Sequence, residues 1–253
     1  MKAAIQSINI GIKFPIHREV RRQANDIEDM FKEYYNQPTV ISIPDEVEPL
    51  IPRISIISKY GHSQINFSQI GVDFNVNFDD EYKYDYTKCE KYIDFRLRLI
   101  NEYLKKSNID TLYYIGMNSG IRFASEDGFN EVDEIKSMYL KNMKIDNLYD
   151  YTEKITLLEN EEYYHNISIG NYRDFTGNII NSSNPAIVCF EKAEVSQKGL
   201  LVNIDINNRY KYTMNGGTTR TDELNDVFDY LYEANREWVD NKIYEFLPFK
   251  GRK

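Results

Sequence analysis

Cysteine, histidine and tryptophan are scarce in this 253-residue chain, which has two, three and one of them. Cys89 and Cys189 lie outside any Cys-x-x-Cys frame. This excludes a disulfide scaffold and a thiolate zinc site. His17, His62 and His165 form no His-x-x-x-His or His-Glu-x-x-His pair, so a helical zinc pair is excluded. None of them stands beside a residue that would orient it as a catalytic base. Positive charge is also in deficit. Lys and Arg number 31 against 40 Asp and Glu, a net charge of −9. Broad binding to nucleic acid or to an anionic membrane needs the opposite field.

No glycine-rich phosphate loop of the Gly-x-Gly-x-x-Gly or Gly-x-x-x-x-Gly-Lys type is present. Gly216-Gly217-Thr218-Thr219-Arg220 precedes a helix, where backbone N–H groups with Arg220 would suit an anion; a turn before a Thr221 cap explains the same residues. No window reaches the roughly 18 apolar residues of a membrane span, and the first residues lack a signal-peptide core. The expectation is a cytoplasmic chain with reduced thiols and no cofactor.

Aromatic rings are plentiful: 21 Tyr and 13 Phe, too much ring surface for a disordered chain. Ile8, Ile10, Ile12 and Phe14 alternate with polar residues, as do Ile70 to Phe78, and both segments predict strands. Arg18 to Tyr35 has helical spacing. Pro38, Pro44, Pro49 and Pro52 make the next segment a loop or edge. Thr87 and Glu90 read as a capping box before a helix from about Lys88 to Lys105, with Ile93, Leu97, Ile100 and Leu104 on its buried face. Leu112 to Met117 predicts a short strand, with Gly116 and Gly120 bracketing an irregular stretch. Val132, Ile135 and Tyr139 suggest a short helix.

The second half repeats this order. Ile155 and Leu157, then Ile167 and Ile169, predict strands. Asn178 to Pro185 is turn-rich. Ala186 to Val195 and Leu200 to Ile206 read as a hairpin turning at Ser196-Gln197-Lys198-Gly199. A long helix runs from Thr221 to about Glu245. The predicted class is α+β: antiparallel sheet with long amphipathic helices on one face, possible as two pseudo-repeats of strands followed by a helix. Residues 1–125 and 126–253 are the two halves, separate or joined in one continuous domain.

Two groups of residues carry functional expectations. Tyr82, Tyr84 and Tyr86 alternate before the second helix, beside Asp79, Asp80, Glu81 and Asp85. Tyrosine suits half-exposed edges, so these three form a candidate protein interface. Glu191, Lys192 and Glu194 on one strand, with Asp205 on its hairpin partner, are candidates for a metal-dependent hydrolase. Lys192 and Glu194 share a face and Glu191 points away, which is not the usual geometry. The acidic runs Asp79-Asp80-Glu81 and Glu159-Asn160-Glu161-Glu162 lack the spacing of a calcium loop.

Several of these features together resemble a sporadically distributed family of uncharacterised prokaryotic proteins of similar length, often encoded near mobile or defence genes. They are the N-terminal strand, Pro52-Arg53-Ile54-Ser55-Ile56, the hairpin from Gly61 to Phe78, and the helix from Thr87 to Leu104. Tyr114-Ile115-Gly116 with Arg122, Ile204-Asp205-Ile206 and the terminal helix complete the set. The order of strands then helix is also similar to a duplicated SecB-type chaperone fold. Neither resemblance supplies a catalytic residue. The leading expectation is a non-enzymatic accessory subunit, chaperone-like or immunity-type, that binds protein partners in a homo- or hetero-oligomer of a defence or toxin–antitoxin system. The alternatives are the metal-dependent hydrolase and a phage-encoded inhibitor whose acidic charge mimics nucleic acid.

Overall fold

The computed structural model describes residues 3–125, 130–176 and 194–247. β1 (Ala3–Lys13) ends before Pro15, and a 3-10 turn over Arg18–Gln23 leads into α1 (Ala24–Phe31). β2 (Thr39–Val40), β3 (Ile54–Ile57), β4 (Ser63–Ser68) and β5 (Gly71–Asn77) follow, then α2 (Tyr86–Lys106). Counted from the end of α2 and not from residue 126, the second half holds β6 (Thr111–Leu112), β7 (Tyr114–Ala124), α3 (Glu131–Tyr139), β8 (Thr152–Glu159), β9 (Tyr163–Thr176) and β10 (Glu194–Asn207). It closes with α4 (Arg209–Asn215), β11 (Thr219–Arg220), α5 (Leu224–Glu237), a π turn over Trp238–Lys242, and α6 (Ile243–Phe246).

Nine strands form one antiparallel sheet in the order β2-β3-β4-β5-β1-β7-β10-β9-β8. The fold is therefore α+β, and the sheet runs unbroken through both halves. Alternation along each strand separates two faces. Ile8, Ile10 and Ile12 of β1, Ile115 and Met117 of β7, and Val202, Ile204 and Ile206 of β10 are buried on one of them. Against that face pack Ile93, Leu97, Ile100 and Leu104 of α2, and Leu224 and Leu231 of α5 with Trp238. Each such aliphatic side chain contributes about 1.5–3 kcal/mol of burial.

The two halves are related by a pseudo-dyad between β1 and β7. In each half a first strand pairs with the last strand of a later three-stranded meander: β1 with β5-β4-β3, and β7 with β10-β9-β8. The dyad superposes Asn9 on Asn118, because these two are cross-strand partners. It then aligns Asn9-Ile10-Gly11-Ile12-Lys13-Phe14 with Asn118-Ser119-Gly120-Ile121-Arg122-Phe123. The same operation aligns Val72-Asp73-Phe74-Asn75-Val76-Asn77 with Val202-Asn203-Ile204-Asp205-Ile206-Asn207.

Three local readings are corrected. α2 starts at Tyr86 because the Asp85 carboxylate, not Thr87, caps it, accepting from the Lys88 N–H at 3.1 Å. Gly116 and Gly120 do not interrupt a strand; they lie within the central strand β7. Residues 196–199 are not a turn, since β10 runs straight through them with an irregularity between Val195 and Gln197. Gly199 serves close approach: a Cβ there would stand 2.0 Å from the Phe123 carbonyl oxygen of β7. α4 was not read from the sequence at all. The segment Asn178 to Pro185 lies outside the described residues.

The proline-rich loop is organised around Arg53, whose side chain is buried. Its guanidinium donates to the carbonyls of Ile51 at 2.6 Å and Val47 at 2.8 Å, and lies 3.7 Å from Asp45. Arg21 meets the same Asp45 at 3.1 Å. The planar fork of arginine suits several carbonyls at once, so this loop holds its shape without regular structure.

Candidate functional site

The sheet face opposite the helices is polar, and pairing lines its side chains into transverse rows. One row crosses seven strands: Gln64, Asn75, Asn9, Asn118, Asp205, Asn166 and Thr156. The next row contains Asn66, Asp73, Gly11, Gly116, Asn207 and Tyr164. Neighbouring strands are about 4.8 Å apart, so these polar side chains stand side by side as a ladder across the sheet.

At one end of this face α4 rises from the sheet. Asn208 positions it: its Oδ1 accepts from the Ile115 N–H at 2.7 Å, and its Nδ2 donates to Thr219 Oγ1 at 3.2 Å. Tyr212 stacks on Tyr113 with ring centroids 4.7 Å apart, and Tyr210 packs edge-on against Tyr164. Arg209 lies 5.4 Å over the Tyr114 ring. Between α4 and the ladder is a depression of about 280 Å³, lined by Asn9, Gly11, Asp73, Asn75, Tyr114, Gly116, Asn118, Asp205, Asn207 and Arg209. Gly116 keeps its floor low, since a Cβ there would sit 2.8 Å from that of Asn207.

Charges in the depression differ in their partners. Asp73 is neutralised by Lys13 at 2.7 Å. Asp205 has no cationic partner among the described residues; its oxygens accept from Asn166 Nδ2 and Asn207 Nδ2, each at 3.1 Å. Thr156 in turn donates to Asn166 Oδ1 at 2.8 Å, and Asn207 Oδ1 accepts from the Arg209 N–H at 3.2 Å. Arg209 has no carboxylate partner among the described residues.

A second polar group is enclosed on the helix side. His165 is 1 % exposed. Its Nδ1 accepts from Trp238 Nε1 at 3.1 Å, so Nε2 carries the proton and donates to Tyr230 OH at 3.1 Å. Tyr230 donates to Glu159 at 3.4 Å. Burial pushes the imidazole pKa down, with Glu159 opposing, while burial and Glu159 push the Tyr230 phenol up. This chain of bonds ties β9 to the terminal helix.

The residues singled out from sequence are dispersed. Tyr82 packs on Phe78 and Tyr92, and Tyr86 opens α2, where its hydroxyl donates to the Tyr232 carbonyl at 3.3 Å. Of the three tyrosines only Tyr84 is exposed, at 46 %. Glu191 and Lys192 lie outside the described residues, as does Cys189. Glu194 and Asp205 belong to the same strand, β10, and eleven residues of extended chain separate them by about 36 Å. Asp205 pairs across the strands with Asn118 and Asn166, away from Glu194. Among the described residues no three His, Cys, Asp or Glu side chains converge as a metal cluster. Arg220 is held by Asp222 through bonds of 3.0 and 2.9 Å, which commits its guanidinium locally. Cys89 is buried, and burial pushes its thiol pKa up to about 12.

Among the described residues no helix is long and apolar enough to cross a membrane. No protein-family model matches the chain, and no curated protein matches it.

Proposed function

We propose that the chain is a non-enzymatic protein-binding subunit, an accessory component of a cytoplasmic multi-protein assembly. The observation that carries this reading is the edge strand β8. It spans eight residues and, among the described residues, pairs on one side only, with β9. Leu157 and Leu158 are 38 % and 44 % exposed along it. The opposite edge, β2, is two residues long and runs into the proline-rich loop. Long edges with unpaired N–H and C=O groups invite a further strand, and natural sheets shorten or charge them where pairing is unwanted. β2 is shortened in this way, whereas β8 keeps eight residues, with Glu153, Lys154 and Glu159 around the exposed Leu157 and Leu158. Tyr84 is the one residue of the tyrosine group that remains accessible for a contact.

The test is affinity purification from the source cells. Wild-type protein should recover a stoichiometric partner, and Leu157→Lys with Leu158→Lys should lose it while circular dichroism stays unchanged. A wild-type protein that stays monomeric and recovers no partner would overturn the reading.

A further inference from the structure

We infer that the depression between the amide ladder and α4 binds a free α-amino acid in its zwitterionic form. The argument starts from charge. Asp73 and Lys13 cancel one another, leaving one carboxylate and one guanidinium without ionic partners among the described residues that line the depression. A net anion such as a phosphate would meet Asp205, and a net cation would meet Arg209. A ligand carrying both charges satisfies both.

The carboxylate is prepared for this role. Asn166 and Asn207 fix its two oxygens, and Thr156 and the Arg209 backbone fix those amides. An ionised carboxylate offers about four acceptor positions, of which two are used here. The remaining positions suit an ammonium group. Arg209 is held over Tyr114, which leaves its N–H fork for a bidentate carboxylate. Asp205 and Asn207 are two residues apart on an extended strand, about 7 Å, and Arg209 begins α4 just beyond. Asp205 and Arg209 line the same depression, so one small ligand can present an ammonium to the first and a carboxylate to the second.

The ladder supplies the rest of the recognition. The side-chain amides of Asn9, Asn75 and Asn118 make no hydrogen bond among the described residues, and Gly11 and Gly116 leave room above the strands. Three amides that can each donate and accept favour a polar side chain on the ligand over an aliphatic one. Leu157 and Leu158 do not line the depression, so either proposal can fail alone.

The experiment is a thermal-shift and calorimetric screen of the full chain against the standard free amino acids at millimolar concentration. At least one polar amino acid should raise the melting temperature, because binding only to the folded state stabilises it. Its N-acetyl and methyl-ester derivatives should each bind at least tenfold more weakly. Asp205→Asn and Arg209→Gln should each lose at least tenfold in affinity for that amino acid. Arg209 is exposed, so Arg209→Gln remains a valid readout even if Asp205→Asn fails to fold. No response to any amino acid would overturn the inference. So would binding that survives both substitutions, or binding that the blocked derivatives match.

Discussion

Trp238 and His165 form one donor–acceptor pair, indole N–H to imidazole Nδ1 across 3.1 Å, and this bond fixes the tautomer of the only buried histidine described. A second proton would make His165 a donor at both nitrogens and set it against the indole N–H. In the unfolded chain the imidazole titrates near ~6.5. Burial lowers the folded value. Below about pH 6.5 the unfolded chain takes up a proton that the fold refuses. Stability present above that pH is therefore lost as pH falls towards the folded value, and loses nothing further from this group beyond it. Urea midpoints of wild type and His165→Gln, followed by fluorescence of the single tryptophan, should converge between pH 8 and pH 5. Parallel curves would assign the acid sensitivity to other groups.

Leu97 and Leu231 anchor the two long helices, at 2 % and 0 % exposure. Leu97→Ala and Leu231→Ala should each cost about 2–5 kcal/mol in chemical denaturation. A midpoint unchanged in either variant would contradict the packing of α2 or α5 on the sheet.

Gly199→Ala tests the close approach of β10 to β7. The added methyl meets the backbone of Phe123, not the end of a flexible side chain, so the strand itself must shift. A loss of about 1–3 kcal/mol is expected, with little change in circular dichroism.

Ser119 interrupts the apolar row of β7 and bonds Asn235 of α5 at 3.1 Å, both fully buried. Its dyad equivalent is Ile10. Ser119→Ala leaves the Asn235 oxygen without its donor and should cost about 1–3 kcal/mol. Adding Asn235→Leu should recover part of that loss, since an apolar pair carries no unsatisfied group. A double variant that is simply additive would show the bond to be unimportant.

Much of the fold was legible because alternation and helical spacing are local. β1, β5, α2 and the terminal helix follow from a few residues each. Glycines misled: Gly116, Gly120 and Gly199 read as punctuation, yet they serve the approach of neighbouring strands, which no local pattern reports. Tyr82, Tyr84 and Tyr86 alternate in the sequence and so read as one edge, but Asp85 caps α2 and the Tyr86 ring belongs to the helix packing. The candidate site was illegible for a different reason. Asn9, Asn118, Asp205 and Asn166 are neighbours through register alone. The repeat Asn-x-Gly-Ile-Lys/Arg-Phe was present in the sequence and would have been found by aligning the halves on Asn9 and Asn118.

The internal dyad also bears on stoichiometry. Two identical chains meeting across such an axis must carry the same residue at every equivalent position. One chain that contains both halves is released from that constraint. Asn75 and Asp205 are dyad equivalents, as are Ser63 and His165, and only the C-terminal member of each pair is ionisable. The lone carboxylate, the buried imidazole and the arginine at α4 all belong to the second half. A scaffold with twofold architecture has thereby become chemically one-sided, with one set of these groups per molecule instead of two.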